Sequence, residues 1–232
     1  MLKKTLKILT FFVIGMAGGI FASQIIWPYF VEGPLFYQPI PGPVYKTEIR
    51  EVYIQENVAL KEAIERAEKA VIRVKSETAA GRVLEGSGLI LTSDGLIITL
   101  AELVPAGWDF NFFVNGQRAP YQVLKRDLEK NLALIKLERT NLTSVGFARV
   151  ERLKLGERVF LVGALPAGFA ANEGIITSFN KNFVETNIFE KNALVGSPLF
   201  DIEARLLGLN TVGKDGRVVA VPLSVIRDFS GL

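Results

Sequence analysis

Few residues in this chain can do chemistry. The 232 residues include no histidine and no cysteine, which removes imidazole bases, thiolate nucleophiles, disulfides and the commonest zinc and iron ligands. What remains is a set of hydroxyls, amines and carboxylates. Ser197, which precedes Pro198, is the one serine considered as a nucleophile. Lys191 lies six residues upstream, and a desolvated lysine can act as its base. The plainer reading is that Ser197 only fills a small-residue position beside the proline. Glu102 and Asp127 form a candidate acid pair, but nothing in their spacing argues for two carboxylates sharing a proton.

Charge narrows the function classes further. The formal net charge is +3, and Lys3, Lys4 and Lys7 are the only charges before Glu32. Beyond residue 31, 24 basic residues stand against 24 acidic ones. A body with no net charge is a poor electrostatic nucleic-acid binder, so no nucleic-acid partner is expected. Neither a metal nor a cofactor is implied.

Ahead of the body, Ile8 to Val31 runs 24 residues without a charge. A helix of that length crosses a hydrocarbon core of about 30 Å. The three lysines before it place the N-terminus in the cytoplasm and export the rest. Trp27 and Tyr29 sit at the outer end, where amphipathic aromatics favour the interface. The rival is a cleaved signal peptide with its apolar core at Ile8–Ala22. Gly15, Gly19 and Ser23 share one helix face, which permits close packing and a homo-oligomer. Glycine is also simply common in membrane helices.

Five of the ten prolines fall in residues 28–43, which reads as an extended stalk. Residues 57–69 then read as a helix, with Asn57 as N-cap, an apolar stripe of Leu60, Ile64, Ala67 and Val71, and the pairs Glu62–Arg66 and Glu65–Lys69. Strand-period runs follow at 70–76, 86–92, 95–99, 109–114, 119–126 and 131–138. A second series covers 157–163, 174–180, 182–186, 198–200, 204–211 and 217–221. Turns such as Ser93-Asp94-Gly95, Asn115-Gly116 and Lys214-Asp215-Gly216 punctuate them. The class is all-β. The expected division is an anchor at 1–31, a stalk at 32–56, a helix and first barrel at 57–150, and a second barrel with a closing helix at 151–232.

The segments "EAIERAEKAVIRV", "GSGLILTSDGLIIT", "FFVNGQRAPYQVLKRDLEKNLALIKLE", "LGERVFLVG", "NEGIITSFNK", "KNALVGSPLF" with "ARLLGLNT", and "VVAVPLSVIRDF" occur in the order seen in one family. Together they resemble the trypsin-like serine proteases of the HtrA (Deg) family, from about Asn57 to the end. The resemblance implies two six-stranded antiparallel β-barrels with a cleft between them. It also implies that the family's PDZ module is missing, since the sequence ends at Leu232.

Carried over residue by residue, the resemblance puts Glu102 at the catalytic base position, in Thr99-Leu100-Ala101-Glu102. Asn131 stands at the aspartate position and Val195 at the nucleophile position. Ala193 stands at an oxyanion-hole glycine, where a Cβ opposes a left-handed backbone. Triad chemistry needs a hydroxyl, an imidazole and a carboxylate, so an inactive homologue is expected. Its expected role is that of a membrane-anchored, extracytoplasmic module binding an exported polypeptide or an active protease. Candidate peptide-binding residues by resemblance are Ile188, Phe189, Leu209, Asn210, Thr211, Val212, Val218 and Ala220. Two alternatives stand: an endopeptidase relocated to Ser197, and a structural ectodomain whose cleft is plugged by Leu194 and Val195.

Overall fold

The computed structural model describes residues 2–28, 56–190 and 194–232. The stalk, Tyr29, Lys191 and Ala193 lie outside the described residues, as does the side chain of Asn57.

Two units separate. In the first, helix α1 (Leu2–Phe21) continues through a π-helical turn at Ala22–Ile26. Lys3–Ile26 is apolar and long enough to cross a membrane, with a mean hydropathy of 1.9. The hydroxyls of Thr10 and Ser23 donate to the carbonyls of Leu6 and Ile20 in their own helix.

In the second unit, α2 (Glu56–Ala67) lays Ala63 and Ala67 against the core, with Leu60 and Ile64 partly buried beside them. Its ion pair is Lys61–Glu65 at 3.9 Å, in place of the expected Glu62–Arg66 and Glu65–Lys69. Both partners are exposed, so the exchange has little energetic weight. A 3-10 turn at Glu68–Ala70 leads into β1, so Val71 begins a strand and does not extend the helical stripe.

The first sheet holds β1 (Val71–Glu77), β2 (Val83–Ile90), β3 (Leu96–Thr99), β4 (Asp109–Val114), β5 (Gln117–Ala119), β6 (Tyr121–Asp127) and β7 (Leu132–Leu137). Their order is β5-β4-β1-β2-β3-β7-β6, all antiparallel where paired. The two ends of this sheet are joined by a single residue, Pro120. One bent strand thus pairs with β4 in its first half and β7 in its second, and the sheet closes through the chain. Proline supplies no ladder N–H, so the bend falls where pairing changes partner.

The second sheet is a closed six-stranded barrel of order β10-β13-β12-β11-β8-β9. Its strands are β8 (Arg158–Leu165), β9 (Gly168–Phe179), β10 (Val184–Phe189), β11 (Pro198–Asp201), β12 (Leu206–Val212) and β13 (Arg217–Pro222). Helix α3 (Leu223–Ser230) follows and buries Leu223, Ile226 and Phe229.

One core cluster fills the first barrel and runs on through Phe160, Val162, Phe200, Leu206, Leu209 and α3. The Phe160 and Phe200 rings lie 5.4 Å apart within it. A second cluster fills the second barrel, with Val159, Leu161, Leu199 and Leu207 among its members. Each fully buried phenylalanine or leucine contributes about 1.5–3 kcal/mol. The continuous cluster therefore fixes the barrels against each other and sets the width of the cleft between them.

Candidate functional site

The motif Gly86-Ser87-Gly88 is where three walls of the site meet. Ser87 N–H donates to Val195 O at 2.9 Å, and Ser87 O accepts the Thr99 hydroxyl at 2.8 Å. Its own Oγ accepts Ala164 N–H from β8 at 2.9 Å. A Cβ at Gly86 would lie 2.5 Å from Val195 O, and one at Gly196 would lie 2.4 Å from Ser87 O. Gly196 also holds φ +78, a left-handed backbone that favours glycine. These two glycines let β2 and the turn before β11 touch backbone to backbone.

Around this contact a cleft of about 1010 Å³ opens. It is lined by Val83, Leu84, Glu85, Glu102 and Leu103 from the first barrel, and by Val195, Val212, Gly213 and Lys214 from the second. Glu102 and Val195 thus share one cavity. Leu194 is buried in the second-barrel core, whereas Val195 is half-buried at the cleft wall. The pair therefore does not plug the cleft.

Glu102 sits on the 3-10 turn Ala101–Leu103. Its N–H donates to Asn131 Oδ1 at 3.0 Å, and Asn131 Nδ2 donates to Glu102 Oε1 at 2.9 Å. Asn131 O also accepts Ala101 N–H at 3.1 Å. Asn131 has φ +51, a conformation that asparagine tolerates better than most residues. Glu102 and Asn131 are therefore locked to each other by two hydrogen bonds, and a third from Ala101 ties the same turn to Asn131. Asp127 is elsewhere: its Oδ1 accepts Glu129 N–H and Lys130 N–H, both at 3.0 Å. It caps its own turn, and the Glu102–Asp127 acid pair does not form.

Ser197 is fully buried, as is Asn210. Ser197 Oγ and both polar atoms of the Asn210 side chain have no hydrogen-bond partner among the described residues. Their backbones pair, with Asn210 N–H donating to Ser197 O and Gly196 N–H to Asn210 O, each at 2.8 Å. A Cβ at Gly163 would come 2.5 Å from Ser197 Oγ. Ser197 is not among the residues that line the cleft.

The peptide-binding candidates divide. Ile188, Val218 and Ala220 are buried in the second-barrel core, and Leu209 in the shared one. None of them lines the cleft, because each is an inward-facing position of its strand. Phe189 is exposed beside Arg217, whose guanidinium lies 5.9 Å from the ring centre, and it also stands outside the cleft lining. Thr211 turns its hydroxyl back to Val219 O at 2.8 Å.

Only Val212 lines the cleft. Asn210 directs its backbone away from β13, and antiparallel ladders alternate with period two. Val212 N–H and C=O therefore also point away from β13, while Gly213 N–H returns to Arg217 O at 2.9 Å. Among the described residues, the unpaired strand edge is at Val212 and not along Leu209–Asn210. Glu85 and Lys214 escaped the sequence reading. The signals that could have found them were their places at the start of β2 and on the turn directly after β12.

Residues 86–209, more than half of the chain, match the model of the trypsin-like peptidase domain. A protein of Halomonas elongata described as a probable periplasmic serine endoprotease DegP-like is 27% identical over 62% of this chain and 34% of its own length. The protein of the same description from Pseudomonas putida is 29% identical over 62% and 34%. The chain thus spans about a third of the length of these relatives. Among solved structures, the HtrA-type protease AlgW with tripeptide superposes with a TM-score of 0.67 at 22% identity, covering 74% of this chain and 62% of that one. At that identity the likeness speaks for the fold.

Proposed function

The chain belongs to the trypsin-like peptidase domain family, and from that premise we propose that it is a membrane-anchored, catalytically inactive member that binds extended polypeptide outside the cytoplasm. The observation that carries this reading is the cleft lining. It holds no hydroxyl, thiol or imidazole among the described residues, and the whole chain has no histidine or cysteine. A cleft with Val195 at the nucleophile position has no atom to attack a carbonyl. What it keeps is an open groove and, among the described residues, an unpaired strand edge at Val212, the two features that β-addition of a peptide requires. The bound chain is an exported polypeptide or an active protease of the same family.

The test uses the full-length protein in detergent micelles, incubated with unfolded casein and with a fluorophosphonate probe. We expect neither cleavage nor labelling. Labelling that disappears in Ser197→Ala would overturn the reading. Anchoring rests on the apolar run that begins at Ile8 within Lys3–Ile26 and on the three lysines that precede that run. Single cysteines placed by Lys3→Cys and Lys181→Cys report it, since the native chain has none. In intact cells an impermeant maleimide should reach the second site and not the first; the reverse pattern rejects the topology.

A further inference from the structure

The cleft has an electrical character that its apolar floor does not reveal. Glu102 and Lys214 face the same cavity from opposite walls, and neither is in an ion pair among the described residues. Glu85, on the same wall as Glu102, is engaged by Arg73 at 3.6 Å. Glu102 is the carboxylate held in place, since its backbone and one oxygen are both fixed by Asn131. A preoriented carboxylate loses little entropy when it meets a cation. Lys214, on an exposed turn, carries no such restraint. Beside Glu102 the wall is apolar, formed by Leu103 and Val195.

An aliphatic surface that ends at a fixed carboxylate suits one kind of side chain: a methylene stem with a cation at its tip. We propose that the cleft selects an extended peptide bearing a lysine or arginine, whose stem lies over Val195 and whose cation meets Glu102. The inference rests on the reading of the cleft as a peptide groove and adds the identity of the side chain it takes. The main chain of the ligand pairs with Val212. Alternate residues of a strand point to one face, so one basic side chain enters and its neighbours face away. The substitution that removed a base from this wall has, on this account, installed a specificity determinant.

The test measures binding of fluorescein-labelled heptapeptides of alternating alanine and valine, with lysine, norleucine or glutamate at the centre, to the full chain in detergent micelles. At low salt the lysine peptide should bind about tenfold tighter than the norleucine one, as expected for a charge-assisted hydrogen bond. Glu102→Gln keeps the acceptor used by Asn131 Nδ2 and should bring the two within about twofold. Glu102→Lys should move the preference to glutamate. Equal binding of lysine and norleucine peptides, tighter binding of glutamate, or a lysine preference that survives Glu102→Gln would each sink the inference while leaving the groove. If no peptide binds the native protein, the groove reading falls with it.

Discussion

The two walls of the cleft treat polar groups in opposite ways. On the first-barrel wall, Glu102 and Asn131 satisfy each other, and Ser87 uses its N–H, its carbonyl and its hydroxyl. Behind the second-barrel wall, Ser197 and Asn210 bury three polar atoms with no partner among the described residues. A buried polar atom left unpaired costs about 1–3 kcal/mol. The first wall is built around a satisfied polar pair; the second presents Val195 to the cleft and buries Leu194 behind it, beside polar atoms without partners. The difference makes the first wall the more rigidly held of the two.

The contact that joins the walls should be the most sensitive place. Gly196→Ala puts a Cβ 2.4 Å from Ser87 O on a backbone with φ +78. Backbone cannot yield as a side chain can, so both strain and overpacking apply, and we expect a loss of about 3 kcal/mol or more. Urea unfolding would measure it, and a loss below about 1 kcal/mol would mean that the walls are not held together here. Ser197→Ala, by contrast, should raise stability by about 1 kcal/mol, because it removes an unpaired buried hydroxyl. A decrease of that size would show that the hydroxyl has a partner after all, such as an ordered water.

Sequence and structure agreed most where the signal was local. The hairpin turn Asn115-Gly116 takes positive φ at both residues, as that dipeptide predicts for a two-residue turn. The strands around Ser87 lie close to where their periodicity put them, and the closing helix lies where the resemblance put it. The bend at Pro120 was not legible, because the run 119–126 reads straight through it and only long-range pairing divides β5 from β6. The site was half legible. Composition alone reveals that no histidine can act, and the resemblance aligned Glu102 and Asn131. That these two bond to each other, and that Ser197 does not line the cleft, depends on which side of a turn each residue faces. No pattern of residue types encodes that. Leu209, Val218 and Ala220 lie in the cores and not along the cleft for the same reason: a strand offers alternate residues to the core, and one residue of register decides which.

The first wall can be turned against itself. Asn131→Asp keeps the size and the left-handed tolerance of the side chain but replaces the donor that faces Glu102 Oε1 with a second carboxylate. We expect a loss of about 1 kcal/mol near neutral pH, relieved in acid, where one of the two carboxyls takes up a proton. Asn131→Ser removes the reach without adding the charge and should lose stability with no such recovery. If both variants behave alike, the Glu102–Asn131 bond contributes nothing specific and the contrast between the walls weakens.

A polar pair on the same barrel but outside the cleft gives the baseline for that comparison. Asp94, in the turn between β2 and β3, accepts from Lys136 Nζ at 2.5 Å and from the Thr92 hydroxyl. The Lys136 hydrogen bond first, and the Thr92 one second, hold its carboxyl below the ordinary aspartate value of 3.8. A carboxylate whose pKa is lowered on folding adds stability that is present above that ordinary value and is lost as pH falls through the folded one. Asp94→Asn should therefore unfold slightly earlier in urea at neutral pH and match the native protein in strong acid, with the gap narrowing in high salt because the turn is open to solvent. The effect should be the smallest of the four. If it equals that of Asn131→Asp, the cleft pair is an ordinary surface pair, and Glu102 loses its standing as a specially held carboxylate.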